Sequence, residues 1–189
     1  MSSLGNLTVL TGPSGVGKGT IVRKILDIHS DVWLSISATT RKPRSGEIEG
    51  EHYFFLDKKN FQEIIDSEGF LEWASFSNNF YGTPKKIVKE KIEKGTNVLL
   101  EIELEGARQI RKSFPEALQI FLAPPNLSEL EKRIRGRGTE TEESIRDRMA
   151  IANKELIAKK EFDAVIINED IETAFKEIEG LMGLNFKSS

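Results

Sequence analysis

Short apolar runs alternate with helical spacing along most of the chain. Leu7 to Leu10 is an apolar run of strand length, and a glycine-rich turn follows it. Ile21, Ile25 and Ile28 come next, at the i, i+4, i+7 spacing of one helix face. Val32 to Ile36, Val98 to Ile102, Leu118 to Leu122 and Ala164 to Ile167 repeat the strand pattern, with helical stretches between them. This alternation predicts an α/β fold with a parallel sheet flanked by helices. Two stretches break the rhythm. Residues 37–84 are rich in charge, Gly and Pro, with strands predicted at Phe70–Phe76 and Phe80–Thr83 and a turn at Asn78-Asn79. Residues 127–160 read as charged helices interrupted by Arg135-Gly136-Arg137-Gly138. Ser128 and Glu131 have capping-box spacing there, and Ile145, Met149, Ala152 and Leu156 form one apolar face. Thr83-Pro84 reads as an N-cap and a first helical residue, so a helix restarts the core at that point. The expected organisation is one domain over 1–189. Its core is 1–34, 85–126 and 161–189, with insertions at 35–84 and 127–160 on the same side of the sheet.

Composition narrows the function classes. A chain of 189 residues is long enough for one domain with a real core and no covalent staple. The absence of cysteine excludes disulfides, thiolate zinc sites and cysteine nucleophiles, and fits a cytoplasmic location. The net charge of −3 argues against general nucleic-acid binding. No apolar run reaches the roughly 18 residues that a membrane-spanning helix needs, and the first residues lack a signal-peptide pattern.

The strongest chemical signal lies between the first strand and the first helix: Gly12-Pro13-Ser14-Gly15-Val16-Gly17-Lys18-Gly19-Thr20. Strand, glycine spacing, lysine and helix together make a Walker-type loop, and the sheet is expected to be of the P-loop NTPase type. Glycines let backbone N–H groups turn inward around phosphate oxygens, and the helix N-terminus adds partial positive charge. Lys18 can reach the β- and γ-phosphates. Gly19 stands where such loops usually carry the Ser or Thr that ligates Mg²⁺. The Gly-Lys-Gly-Thr sequence resembles the loop of adenylate kinases, which implies Mg²⁺ held mainly by phosphates and water, with Thr20 close to the α-phosphate.

A second cluster is built for a monophosphate. Arg41 and Arg44 flank Pro43, and two guanidinium forks can hold a dianionic phosphate. Tyr53 and Tyr81 are the chain's two tyrosines and can each donate a hydroxyl to that phosphate. Glu72 sits among Phe70, Leu71, Trp73 and Phe76 and is expected to be partly buried. A buried carboxylate needs donors, and guanine offers two, its N1–H and its 2-amino group.

These segments come in an order that resembles guanylate kinases. The resemblance runs through Ser37-Ala38-Thr39-Thr40-Arg41-Lys42-Pro43-Arg44-Ser45-Gly46-Glu47, Gly50-Glu51-His52-Tyr53, Leu71-Glu72-Trp73-Ala74 and Asn79-Phe80-Tyr81-Gly82-Thr83. It continues through Leu100-Glu101-Ile102-Glu103-Leu104-Glu105-Gly106-Ala107 and Arg137-Gly138-Thr139-Glu140-Thr141, and so covers nearly the whole chain. It implies that 35–84 binds GMP and that 127–160 is a helical lid. It assigns Glu72 and Glu103 to guanine, with Ser37 and Thr83 donating to O6. Glu103 replaces the family's usual Asp and Glu105 its usual Gln. The resemblance also places Arg133, Arg137 and Arg148 as lid arginines and Asn168 beside the adenine of ATP. His29 and His52 carry no metal or catalytic pattern and read as surface or structural residues.

The implied reaction moves the γ-phosphoryl of MgATP to GMP, and to dGMP, without a general base. Lys18, Arg41, Arg137 and Arg148 would supply the positive charge. Two alternatives are a kinase for another nucleoside monophosphate and a non-catalytic interaction domain of the same fold. Glu72 with Ser37 and Thr83 argues against the first, and the complete phosphate loop against the second.

Overall fold

The computed structural model describes residues 4–136, 138 and 141–184. The main sheet is parallel throughout, in the order β2 (Val32–Leu34), β7 (Asn97–Glu101), β1 (Leu7–Thr11), β8 (Leu118–Ala123), β9 (Ala164–Ile167). Strand alternation sends side chains to two apolar clusters, one on each face. Leu10, Leu99, Ile120, Leu122 and Ile166 meet α1 (Lys18–Ile28) and α7 (Ile171–Leu181) on one face. Leu7, Val9, Val98 and Leu100 meet α3 (Lys85–Glu93) and α4 (Leu104–Ser113) on the other. Ile21 and Ile25 are buried as the helical spacing predicts, but Ile28 is exposed, because α1 ends there and Val22 takes the remaining buried place.

β1 lies between β7 and β8. The chain leaves β1 for β2 on one side, and later leaves β7 for β8 on the other. In open parallel sheets this reversal opens a crevice at the carboxyl ends of the central strands, which is where ligands bind. Both the glycine-rich loop and Glu101 stand at those ends.

A second sheet occupies residues 38–84, in the order β4 (Phe54–Phe55), β3 (Ala38–Thr39), β6 (Asn79–Pro84), β5 (Phe70–Phe76). β5 and β6 are antiparallel and turn through Ser77 and Asn78, both at positive φ (49° and 65°). The turn therefore falls one residue before the predicted Asn78-Asn79. Behind this sheet lies α2 (Lys58–Asp66), which the sequence reading missed although its signals are present. Asp57 accepts the Asn60 N–H at 2.7 Å as an N-cap, and Phe61, Ile64 and Ile65 face inward. Phe61 stacks on Phe70 and Phe80 with ring centroids 4.4 and 5.6 Å away.

Two predicted caps are corrected. α3 begins at Lys85, not Pro84, and Thr83 remains in β6 because its hydroxyl is bonded to Glu72 instead of capping the helix. α5 (Leu127–Arg135) is capped by Asn126, which accepts from Glu129 N–H at 2.8 Å, so Ser128 lies inside the helix and no Ser128–Glu131 box forms. α6 (Glu142–Ala158) follows and ends in a 3₁₀ turn at Lys159–Glu161. Leu130, Ile134, Ile145 and Ala152 of α5 and α6 join the main apolar cluster. His29 is buried, with Nε2 2.6 Å from Glu179 Oε1, tying the end of α1 to α7. His52 Nδ1 accepts from Ile48 N–H. Among the described residues no helix is long and apolar enough to cross a membrane.

Candidate active site

The loop between β1 and α1 is held in shape from several directions. Gly15 and Gly17 adopt φ of 88° and 108°, which side-chain-bearing residues rarely adopt. At Gly17 a Cβ would also fall 2.6 Å from Asn168 Nδ2. Asn168, buried at the end of β9, donates that Nδ2 to Val16 O at 2.7 Å. Arg133 on α5 donates to Asn168 O at 3.0 Å and to Val16 O at 3.5 Å. Arg148 on α6 donates to Ser14 Oγ at 3.2 Å. The Lys18 ammonium is buried and donates to Gly12 O, and to Pro13 O at 3.4 Å.

This loop forms one wall of a cavity of about 420 Å³ that runs from Pro13 to Thr20 and is closed by Arg23, Glu101 and Glu103. Gly19 leaves open space where a Cβ would stand. Crowding by surrounding protein raises the pKa of Glu101 above the usual carboxylate range; Lys18 opposes the shift and Glu103 adds to it. Glu101 was not picked out from the sequence, although a strand-end carboxylate beside a phosphate loop is a common place for a metal ion. Glu101 and Thr20 are hard oxygen donors, and so few of them suit a cation that keeps several waters, as Mg²⁺ does. A second cavity, about 320 Å³, lies on the other side of the loop between Arg133, Asn168 and the start of α7.

Glu155, on the inner face of α6, was also missed. Burial raises its pKa, Glu103 adds to the shift and Lys18 opposes it.

The arginine–tyrosine cluster forms around Arg41. Its guanidinium makes a bidentate pair with Glu47, at 2.9 and 2.8 Å, and lies 5.3 Å from the Tyr53 ring centroid. The Tyr53 and Tyr81 rings meet edge to face at 6.1 Å. The Glu47 hydrogen bond raises the pKa of Arg41, and Tyr81 adds to the shift. Glu47 accepts from Arg44 N–H as well, at 2.7 Å, and is lowered to about 2, chiefly by Arg41. Arg44 itself is exposed. Glu47 had no assigned role in the sequence reading. Its spacing of three and six residues from two arginines was the available signal.

Glu72 and Thr83 face each other across β5 and β6. Thr83 Oγ1 donates to Glu72 Oε1 at 2.6 Å, and both residues are buried. Burial pushes the Glu72 carboxyl above its ordinary range, while the Thr83 hydroxyl and N–H pull it back. Ser37 is half-buried just before β3. Glu103 opens into the phosphate-loop cavity with Lys18. Glu105 pairs with Arg108 at the surface, and Arg108 also holds Glu161. Arg137 lies outside the described residues.

Comparisons with known proteins agree with one another. A family model described as guanylate kinase matches residues 5–184. A guanylate kinase of Prochlorococcus marinus strain NATL2A is 91% identical over 184 residues, covering 97% of this chain and 99% of the relative. One from Synechococcus sp. strain CC9311 is 62% identical over 182 residues, covering 96% of each. The crystal structure of guanylate kinase from Anaplasma phagocytophilum superposes with a TM-score of 0.72 at 30% identity, covering 100% of this chain and 89% of that one.

Proposed function

Because the chain belongs to the guanylate kinase family, we propose that it transfers the γ-phosphoryl group of MgATP to GMP, and to dGMP, giving ADP and the nucleoside diphosphate. The observation that carries the reading is the buried Glu72 carboxylate with its Thr83 partner. Oε1 is occupied by the Thr83 hydroxyl, and the carboxylate's remaining acceptor capacity meets guanine's N1–H and 2-amino group. Adenine presents an acceptor where guanine presents N1–H, so it would leave the carboxylate's second oxygen without its donor. Sites built on substrate hydrogen bonds reject such analogues by roughly 10⁴. Ser37 and Glu103 complete the base site in this reading; the Thr83 hydroxyl, expected at O6, donates to Glu72 instead.

Arg41, Arg44, Tyr53 and Tyr81 hold the monophosphate. Glu47 holds the planar Arg41 fork in place until the phosphate arrives. A phosphate monoester has its second pKa near 6, so the attacking oxygen is already ionised at neutral pH and needs no base. That oxygen forms the new bond to the γ-phosphorus. The bond to the β–γ bridging oxygen breaks, and its charge leaves with ADP. Residues 12–20 cradle the triphosphate, with Arg133 and Asn168 beside the nucleoside. Lys18, Arg137 and Arg148 meet the charge that spreads over the transferring group. Glu101 and Thr20, which line the loop cavity, would hold the waters of a bound Mg²⁺, and that ion would supply neutralisation of phosphate charge. We read the protein as a cytoplasmic enzyme acting on free nucleotides.

ADP formation from MgATP with GMP, AMP, UMP or CMP offered separately tests this. Rapid turnover with GMP alone is expected. Turnover with another base would overturn the role of Glu72, and no turnover with any would overturn the activity.

A further inference from the structure

Gly106 is the third residue of α4, buried and in ordinary helical conformation, so its backbone does not require glycine. Glycine there weakens the helix relative to alanine. A side chain at this position would be tight, and its neighbours would have to give by a few tenths of an ångström. A Cβ would stand 3.1 Å from Glu72 Oε2, 3.5 Å from Glu72 Cδ and 3.3 Å from Ile102 Cδ1. Two of these three neighbours belong to the carboxylate assigned above to the base.

The same helix face continues along β5, the edge strand of the small sheet. One turn on, Gln109 Nε2 donates to Trp73 O at 2.9 Å and its Oε1 accepts Trp73 N–H at 3.0 Å. One turn further, Ser113 Oγ donates to Leu71 O at 2.7 Å. Both backbone neighbours of Glu72 are therefore fixed to α4. α4 itself starts beside Glu103 at the phosphate-loop cavity.

We propose that Gly106 and Gln109 are specificity-determining positioning residues: the glycine admits the Glu72 carboxylate against α4, and the glutamine fixes β5 at that distance, so that one helix registers the base reader against the phosphate loop. The inference rests on the reading of Glu72 as that base reader. Neither residue touches substrate. They act through the position of one carboxylate, so they govern GMP recognition and leave the phosphoryl-transfer step alone.

The test is steady-state kinetics of Gly106→Ala with GMP and with IMP, which lacks the 2-amino group. A displaced carboxylate should raise KM for GMP about tenfold and cut the preference for GMP over IMP by a similar factor, the scale of a missing-group contact in a binding pocket. Turnover at saturation and KM for ATP should stay within about twofold, and the unfolding midpoint should not fall, since alanine favours the helix. In a Glu72→Asp background, where the shortened side chain already withdraws, the alanine should add less than about twofold; in a purely structural role the two effects would multiply instead. An unchanged KM for GMP in folded Gly106→Ala overturns the proposal, as does multiplication of the two effects. If Gly106→Ala does not fold, Gln109→Met decides. A KM for GMP raised about threefold or more with turnover and KM for ATP unmoved supports the proposal, and an unmoved KM for GMP sinks it. Glu72→Gln separates the two levels. If that variant keeps the wild-type KM for GMP, the base-reader assignment itself fails; if its KM rises while Gly106→Ala and Gln109→Met are silent, only the α4 proposal fails.

Discussion

The stretch from Ala38 to Pro84 carries its own four-stranded sheet and its own aromatic cluster around Phe61, whereas α5 and α6 have no separate core. The two helices bury Leu130, Ile134, Ile145 and Ala152 in the same cluster as the main sheet. Their arginines also reach the phosphate loop directly, Arg133 at Val16 O and Arg148 at Ser14 Oγ. In the proposed function the first stretch would read GMP from a unit of its own, with little effect on the loop. The two helices would act as an extension of the loop's own support, so a change in them would be felt at the triphosphate. Recognition of the acceptor would then be separable from the loop, and activation of the donor fused with it.

Four substitutions test that contrast. Lys18→Ala should lower turnover by about 10³-fold or more, while calorimetric GMP affinity stays near wild type. A parallel loss of GMP affinity would mean the two sides are not separable. Phe61→Ala removes the centre of the insertion's aromatic cluster and should cost about 3–5 kcal/mol locally. GMP binding should fail while binding of an ATP analogue, followed by calorimetry, persists; loss of both would join the insertion to the main cooperative unit. Arg41→Met removes a charged donor to the monophosphate, worth about 1.5–3 kcal/mol. KM for GMP should rise roughly tenfold to a hundredfold with KM for ATP unmoved.

The smallest effect concerns acid. Glu47 is held at about 2 against an ordinary 4.5. A carboxylate lowered on folding contributes stability above its unfolded pKa and loses it as pH falls. The window here runs from about 4.5 down to about 2. The pair is only partly buried and stays in reach of solvent, so the effect is small and salt-sensitive. Acid unfolding followed by tryptophan fluorescence should show a shallower pH dependence in that window for Glu47→Gln. An identical profile would remove the pair from the stability of the insertion.

Much of the fold was legible because its signals are local. Buried parallel strands read as apolar runs, and the chain departs from them by only one or two residues at strand ends. The glycine-loop lysine and the Glu72 strand were equally plain, since spacing and burial pattern carried both. The misses are of two kinds, contacts between elements and local signals passed over. Nothing near Thr83 announces that its hydroxyl belongs to Glu72 and not to a helix cap. Asn126 wins the α5 cap over Ser128 because the helix begins one residue before Ser128. α2 was passed over because charge and glycine around it masked a nine-residue helix whose apolar face meets only the small cluster. Nothing near Gly106 in the sequence announces the carboxylate opposite it.

Asn168, Arg133 and Lys18 between them fasten the phosphate loop to its surroundings before any nucleotide arrives. Ordering backbone costs about 1–2 kcal/mol per residue, and for this loop that cost is met during folding. In the proposed function ATP's arrival would be an exchange, its phosphates taking the Lys18 ammonium from the carbonyl oxygens of Gly12 and Pro13. Nucleotide capture would then turn on diffusion and the swap of one cation's partners, with no wait for a loop to find its shape.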